Sequence, residues 1–256
     1  MADDLASLIE AVDAADSSAS LFRAVQNLAG AGLEGAIPTL IAALSYNNPG
    51  AAIASVSGLV QLGTASVPAI MAQLDGHNYT ARAWAIRALA EIGDPRGMAI
   101  LLEAATSDFA VSVRRAATKG LGSIQWDGFP ASLLQPAQTI ALSALLQIAQ
   151  QDDEWVVRYA AVVGLQQFAS HQWPRTEERC SQIQTQLAQM LPSEHSLAVR
   201  ARVQMAQQHL QSMDDQTTTA RAEQPSPLTE KDWTVIRDQL RAFEQSTVGV
   251  TLSAIV

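Results

Sequence analysis

Four stretches of this chain repeat one another, and that periodicity limits its fold more than any other feature. Residues 52–59, 82–89, 114–121 and 158–165 align without gaps. Each copy carries Ala or Arg at the first position, a small residue at the seventh and Leu at the eighth. A weaker copy begins at Arg200, and residues 21–28 read as a degenerate first one. Self-similarity with a period of roughly 30 to 45 residues is the mark of a solenoid.

A second helical pattern precedes each copy, as in 36–44, 66–74 and 97–104. Pro38 and Pro68 lie near the start of these outer helices, where a missing N–H costs little. Gly63 and Gly93 follow the inner helices, where a left-handed residue ends a helix. The unit is therefore outer helix, turn, inner helix. One such hairpin cannot bury both apolar faces, so neighbours stack. The expected fold is all-α, a HEAT-like α-solenoid over residues 1–212. Residues 125–130, Gln-Trp-Asp-Gly-Phe-Pro, begin an insertion in the longest repeat. The polar stretch 213–227 reads as a linker, and 228–256 as a further helix and tail that can be disordered.

Composition removes whole classes of function. Hydrophobic residues make up 48% of the chain but aromatics only 5%, which favours close-packed Ala/Leu/Val helices. A net charge of −9 argues against nucleic acid as a partner. No apolar run is long enough to span a bilayer, and the N-terminus lacks the basic and apolar regions of a signal peptide. Cys180 is the single cysteine, which fits a reducing, cytoplasmic compartment. The four histidines are scattered, so no metal site is expected. There is no phosphate-binding loop. On residues alone the chain reads as a binding scaffold.

Helical phase selects what such a scaffold would present. Trp84, Arg87 and Glu91 share one face of the inner helix at i, i+3 and i+7. The same phase gives Ala116, Lys119 and Ser123 in the next repeat, and Ala160, Val163 and Gln167 after it. Trp84 offers a stacking surface and its basic neighbours pair with carboxylates. Arg82, Arg114, Arg158 and Arg200 recur at one repeat position, and Asp75, Asp108 and Asp153 precede three of them. That pattern reads first as a ladder of ion pairs between turns, and His77-Asn78-Tyr79 reads as a polar turn.

Several runs exceed what a HEAT pattern requires. They include Asn48-Pro49-Gly50-Ala51-Ala52, residues 78–89, Ile92-Gly93-Asp94-Pro95-Arg96, residues 112–117 and Glu154-Trp155-Val156-Val157-Arg158-Tyr159. Together they resemble the E/F-type phycobilin lyases of cyanobacteria, on the F (beta) side, over about residues 5 to 210. The resemblance implies half of a heterodimer with a related E-type subunit. Such a pair holds a linear tetrapyrrole, phycocyanobilin, and joins it by a thioether to a cysteine of an apo-phycobiliprotein, in the first instance the phycocyanin alpha chain. The bilin is then substrate, and no cofactor is expected. Under that reading Trp84 stacks on the pigment, with Arg87, Lys119, Arg115, Tyr79 and Arg158 as further ligand-binding candidates. Glu91 and Asp108 are the candidate acids near the pyrrole nitrogens. Related lyase-isomerases carry a His-Cys pair that is absent here, since Cys180 lies between Arg179 and Ser181; isomerisation is not expected. A pigment-free assembly scaffold, or a protein that removes or transfers bilin, remains open on these residues.

Overall fold

The computed structural model describes residues 2–74, 79–127, 129–170 and 177–222. Asp75, His77 and Asn78, and the helix expected within 228–245, lie outside the described residues. Among those described there is helix and turn and no strand. Outer helices are α1 (Ala2–Asp13), α3 (Ile37–Ala43), α5 (Val67–Gln73), α7 (Met98–Ser107), α9 (Ala131–Gln151) and α11 (Glu177–Ser193). Inner helices are α2 (Ser18–Gly30), α4 (Pro49–Leu62), α6 (Tyr79–Ile92), α8 (Val111–Gly122), α10 (Trp155–Ser170) and α12 (Leu197–Ala222). Contacts divide the chain into Met1–Leu210 and Gln211–Val256, and the stacked array belongs to the first unit.

The local signals act where the sequence places them. Ser17 and Ser20 form a reciprocal capping box at the start of α2. Asn48 caps α4 by accepting from the Ala51 N–H at 3.1 Å, while its side-chain amide donates to the Ser18 carbonyl one repeat back at 2.8 Å. Pro38 and Pro68 occupy the first turn of α3 and α5. Gly63 and Gly93 follow α4 and α6 with φ of 62° and 69°, a region that excludes most side chains.

Inner helices pack side by side in the order α2, α4, α6, α8 and α10. The seams are made of small residues. A Cβ on Gly58 would come within 2.7 Å of the Ala29 Cβ, and one on Gly120 within 2.5 Å of the Ala90 Cβ. At the α8–α10 seam Gly122 meets the backbone of Gly164 directly, with no side chain between them. Close approach along one layer only bends a stack, so the inner helices line the concave side. Leu59, Leu89, Leu121 and Leu165, the repeated eighth position, are fully buried between the layers.

Two expectations change. The longest repeat spends its extra residues mainly on α9, which has 21 residues where α3 and α5 have 7. Trp126 of the insertion is buried and meets Phe129 edge-to-face at 5.4 Å. The stretch read as a linker from residue 213 begins as helix, because α12 runs to Ala222. Its residues are polar, but no Gly or Pro interrupts them before Pro225.

Candidate functional site

Ion pairs between repeats set the edge of the concave face. Arg82 Nε lies 3.1 Å from Asp108 Oδ2. Arg114 Nε lies 2.9 Å from Asp152 Oδ2, and Arg158 Nε 2.7 Å from Glu194 Oε2. Each acid also accepts from a backbone N–H two residues ahead, Ala110, Glu154 and Ser196 respectively. Each therefore starts its own inner helix while receiving the arginine of the preceding repeat. Arg114 and Arg158 in turn donate to carbonyls of the turns before their own helices. The Arg158 guanidinium holds the Glu194 carboxyl below the usual glutamate range, and burial opposes it. The same pairing raises Arg158, as Asp152 raises Arg114.

The ladder engages two of the candidate site residues. Asp108, expected near a pyrrole nitrogen, is buried and committed to Arg82, with its side chain 3% exposed. Arg158, expected to face a ligand, is engaged with Glu194 and two carbonyls. The ladder ties successive repeats as expected, each arginine bonding the acid of the following repeat, but Asp152 and Glu194 stand in it where Asp153 was expected.

The other candidates gather on the inner helices. Trp84 is half-buried against the core. The Arg87 guanidinium sits 5.6 Å from its ring centroid, within cation–π range. Arg87 Nε also lies 2.8 Å from Glu91 Oε1, in an i,i+4 pair with both side chains nearly half exposed. Such an exposed pair is weak and easily exchanged for another anion. On the adjacent α8, Arg115 and Lys119 are exposed, and among the described residues neither has an ion-pair partner. Tyr79 meets Phe109 edge-to-face at 4.6 Å, and both rings are largely in solvent.

The exposed stripe is rotated from the expected phase. Positions matching Trp84 are buried or half-buried, as Ala54, Ala116 and Ala160 show, because this flank leans on the neighbouring helix. The solvent-facing line instead runs through Ile53, Arg115 and Tyr159, then Ser57, Arg87 and Lys119. Ile53, Phe109, Trp155 and Tyr159 are large exposed side chains that the helical phase did not select. Their signal was the recurrence of large side chains at polar-facing positions of the repeat, which a scan confined to one face passes over.

The arrangement places a half-buried tryptophan beside three cations in an otherwise acidic protein. It can hold a planar, partly apolar anion through stacking and carboxylate pairing. Two shallow depressions, of about 380 and 440 Å³, lie elsewhere, over the ladder at Arg114 and Arg158. No group of three or more His, Cys, Asp or Glu among the described residues can hold a metal ion. No described helix is long and apolar enough to cross a membrane.

Comparison with known proteins gives four results. A model described as HEAT repeats matches residues 67–166. The chain is 56% identical over 250 residues to the phycocyanobilin lyase subunit beta of Pseudanabaena tenuis, covering 94% of this chain and 89% of that one. It is 48% identical over 200 residues to the protein of that name from Nostoc sp., covering 78% and 97%. Among solved structures, the complex of CpcE and CpcF of phycocyanin lyase from Nostoc sp. contains a chain similar at 48% identity with a TM-score of 0.62, covering 68% of this chain and 98% of that one.

Proposed function

The chain belongs to the family of phycocyanobilin lyase beta subunits, and we propose that it acts as the F-type half of a heterodimeric bilin lyase. With a related E-type subunit it binds phycocyanobilin and attaches it to a cysteine of the apo-phycocyanin alpha chain. The observation that carries the reading is the identity of more than half over nearly the whole chain, together with a concave face that suits the pigment. The reading includes a cytoplasmic location, where the lone Cys180 stays reduced.

The chemistry asks little of acid–base power. A cysteine thiolate adds to the ethylidene carbon of ring A; the C–S bond forms as the exocyclic C=C π bond breaks, and a proton ends on the ring carbon of that former double bond. Nothing leaves and nothing is oxidised, so no cofactor is called for. Rate then comes from holding the pigment extended, masking its charge and presenting one carbon to the thiolate. Trp84 supplies a stacking surface, while Arg87, Arg115 and Lys119 supply partners for the propionates. Glu91, at the end of the same face, is the remaining acid for the pyrrole nitrogens. Its link to Arg87 is exposed, so an arriving propionate can take its place at little cost.

The test is reconstitution. The chain, its E-type partner, phycocyanobilin and apo-phycocyanin alpha chain should give a covalent product that fluoresces with zinc after denaturing electrophoresis. Product no greater than the spontaneous level overturns the reading. An unchanged absorption spectrum of added bilin would instead mark a pigment-free scaffold.

A further inference from the structure

We infer that Tyr159 is a bilin-binding residue, and that the tetrapyrrole lies across the inner helices with its central propionates at α6 and α8 and its outer rings near Trp84 and Tyr159. The inference rests on the bilin reading above and adds the pigment's direction and a second aromatic contact.

The order of side chains along the array carries it. The face passes from Ile53 on α4 to Trp84 and Arg87 on α6, Arg115 and Lys119 on α8, and Tyr159 on α10. These four helices are consecutive neighbours in one layer. The cations thus sit in the middle, with an aromatic on either side. A linear tetrapyrrole has the same order: its two propionates project from the middle rings, and its outer rings are uncharged lactams with alkyl groups. Packed helices lie about 8–10 Å apart, so α6 to α10 spans roughly 16–20 Å, the reach of four linked five-membered rings.

No polar or ring contact among the described residues ties the Tyr159 side chain to its place. It occupies the same repeat register as Ile53 and Arg115 and is 37% exposed. Among the described residues it makes no ring pair and no side-chain hydrogen bond. The structural duties of its neighbourhood fall to Arg158, which builds the ladder, and to Ala160 and Ala161, which are buried. The Gly122–Gly164 contact holds α8, which carries Arg115 and Lys119, close to α10, which carries Tyr159.

Absorbance titration of phycocyanobilin and its dimethyl ester into the heterodimer tests this. Tyr159→Ala should weaken binding of both about five- to tenfold, as loss of one stacking partner does. It should also move the red band towards that of free bilin, with an unchanged melting temperature. Tyr159→Phe should stay within about twofold. An Arg115→Ala/Lys119→Ala double variant should weaken the free acid and leave the ester unaffected. Tyr159→Ala with wild-type affinity and spectrum overturns the inference, even if bilin attachment proceeds and the proposed function stands. Wild-type protein that binds bilin but forms no adduct overturns the function and leaves the ring placement to the titration. A spectrum unmoved by the wild-type heterodimer overturns both.

Discussion

Arg114 reaches from one repeat to the next and grips Asp152 with two nitrogens, Nε at 2.9 Å and Nη2 at 3.2 Å, while Nη1 donates to the Asp108 and Phe109 carbonyls. One guanidinium thus ties its own turn to the start of α10. Because both side chains are mostly buried, removing one leaves the other charge without its partner. Arg114→Ala should cost about 2–3 kcal/mol in urea unfolding. Arg114→Lys should recover little of it, since an ammonium cannot serve the carboxylate and both carbonyls in that fork geometry. A loss below about 0.5 kcal/mol for Arg114→Ala would show the ladder to be ornamental.

Acid should loosen the last rung. The folded-state pKa of Glu194 is depressed by its bond to Arg158. A depressed carboxylate contributes stability that is present above its unfolded value and lost as pH falls through the folded one. Urea midpoints measured from pH 7 down to pH 3 should therefore fall at the acid end, below the ordinary glutamate value. Glu194→Gln should be less stable at pH 7 and show a flatter profile. Asp94, lowered by Arg96, adds to the wild-type slope in the same direction.

Two glycine substitutions should have opposite outcomes. A Cβ at Gly122 would fall on the backbone of Gly164, and backbone cannot rotate aside. Gly122→Ala should destabilise by about 1–3 kcal/mol. Gly30, at the end of α2, has nothing within 4 Å of its would-be Cβ. Gly30→Ala should be neutral or stabilising by up to about 0.5 kcal/mol, through higher helix propensity. Thermal melts of the two variants, with equal melting temperatures as the contrary result, decide the point.

Glu91→Gln separates chemistry from packing. The Arg87–Glu91 pair is exposed, so the variant should keep its stability to within about 0.5 kcal/mol. The rate of bilin attachment should drop several-fold, while the dissociation constant for bilin changes by less than about threefold. If attachment keeps its wild-type rate, Glu91 is only a counterion for Arg87.

The repeat was legible because every inner helix must place a small residue at the seam and a leucine in the core, and both constraints leave marks on single positions. Gly63, Gly93, Pro38 and Pro68 were legible for a local reason, since each answers to backbone geometry at its own position. The ladder's pairing was not. The Arg82–Asp108 rung spans 26 residues and the Arg114–Asp152 rung 38, so no fixed offset reveals which acid each arginine meets. The site was read a few tens of degrees out of phase. Trp84 marked the face by its size, but it is half-buried against the core, and the open line runs beside it through Arg115 and Tyr159. Tyr159 shares its repeat register with Ile53 and Arg115, three side chains too unlike in type to mark a pattern in the sequence.

The bare meeting of Gly122 and Gly164 has a mechanical result. Where two helices touch through hydrogens alone, the joint can neither close further nor open without leaving a void. The α8–α10 seam is therefore held at one separation by backbone meeting backbone. A chromophore lying across α8 and α10, as proposed above, would meet those two helices at one set span.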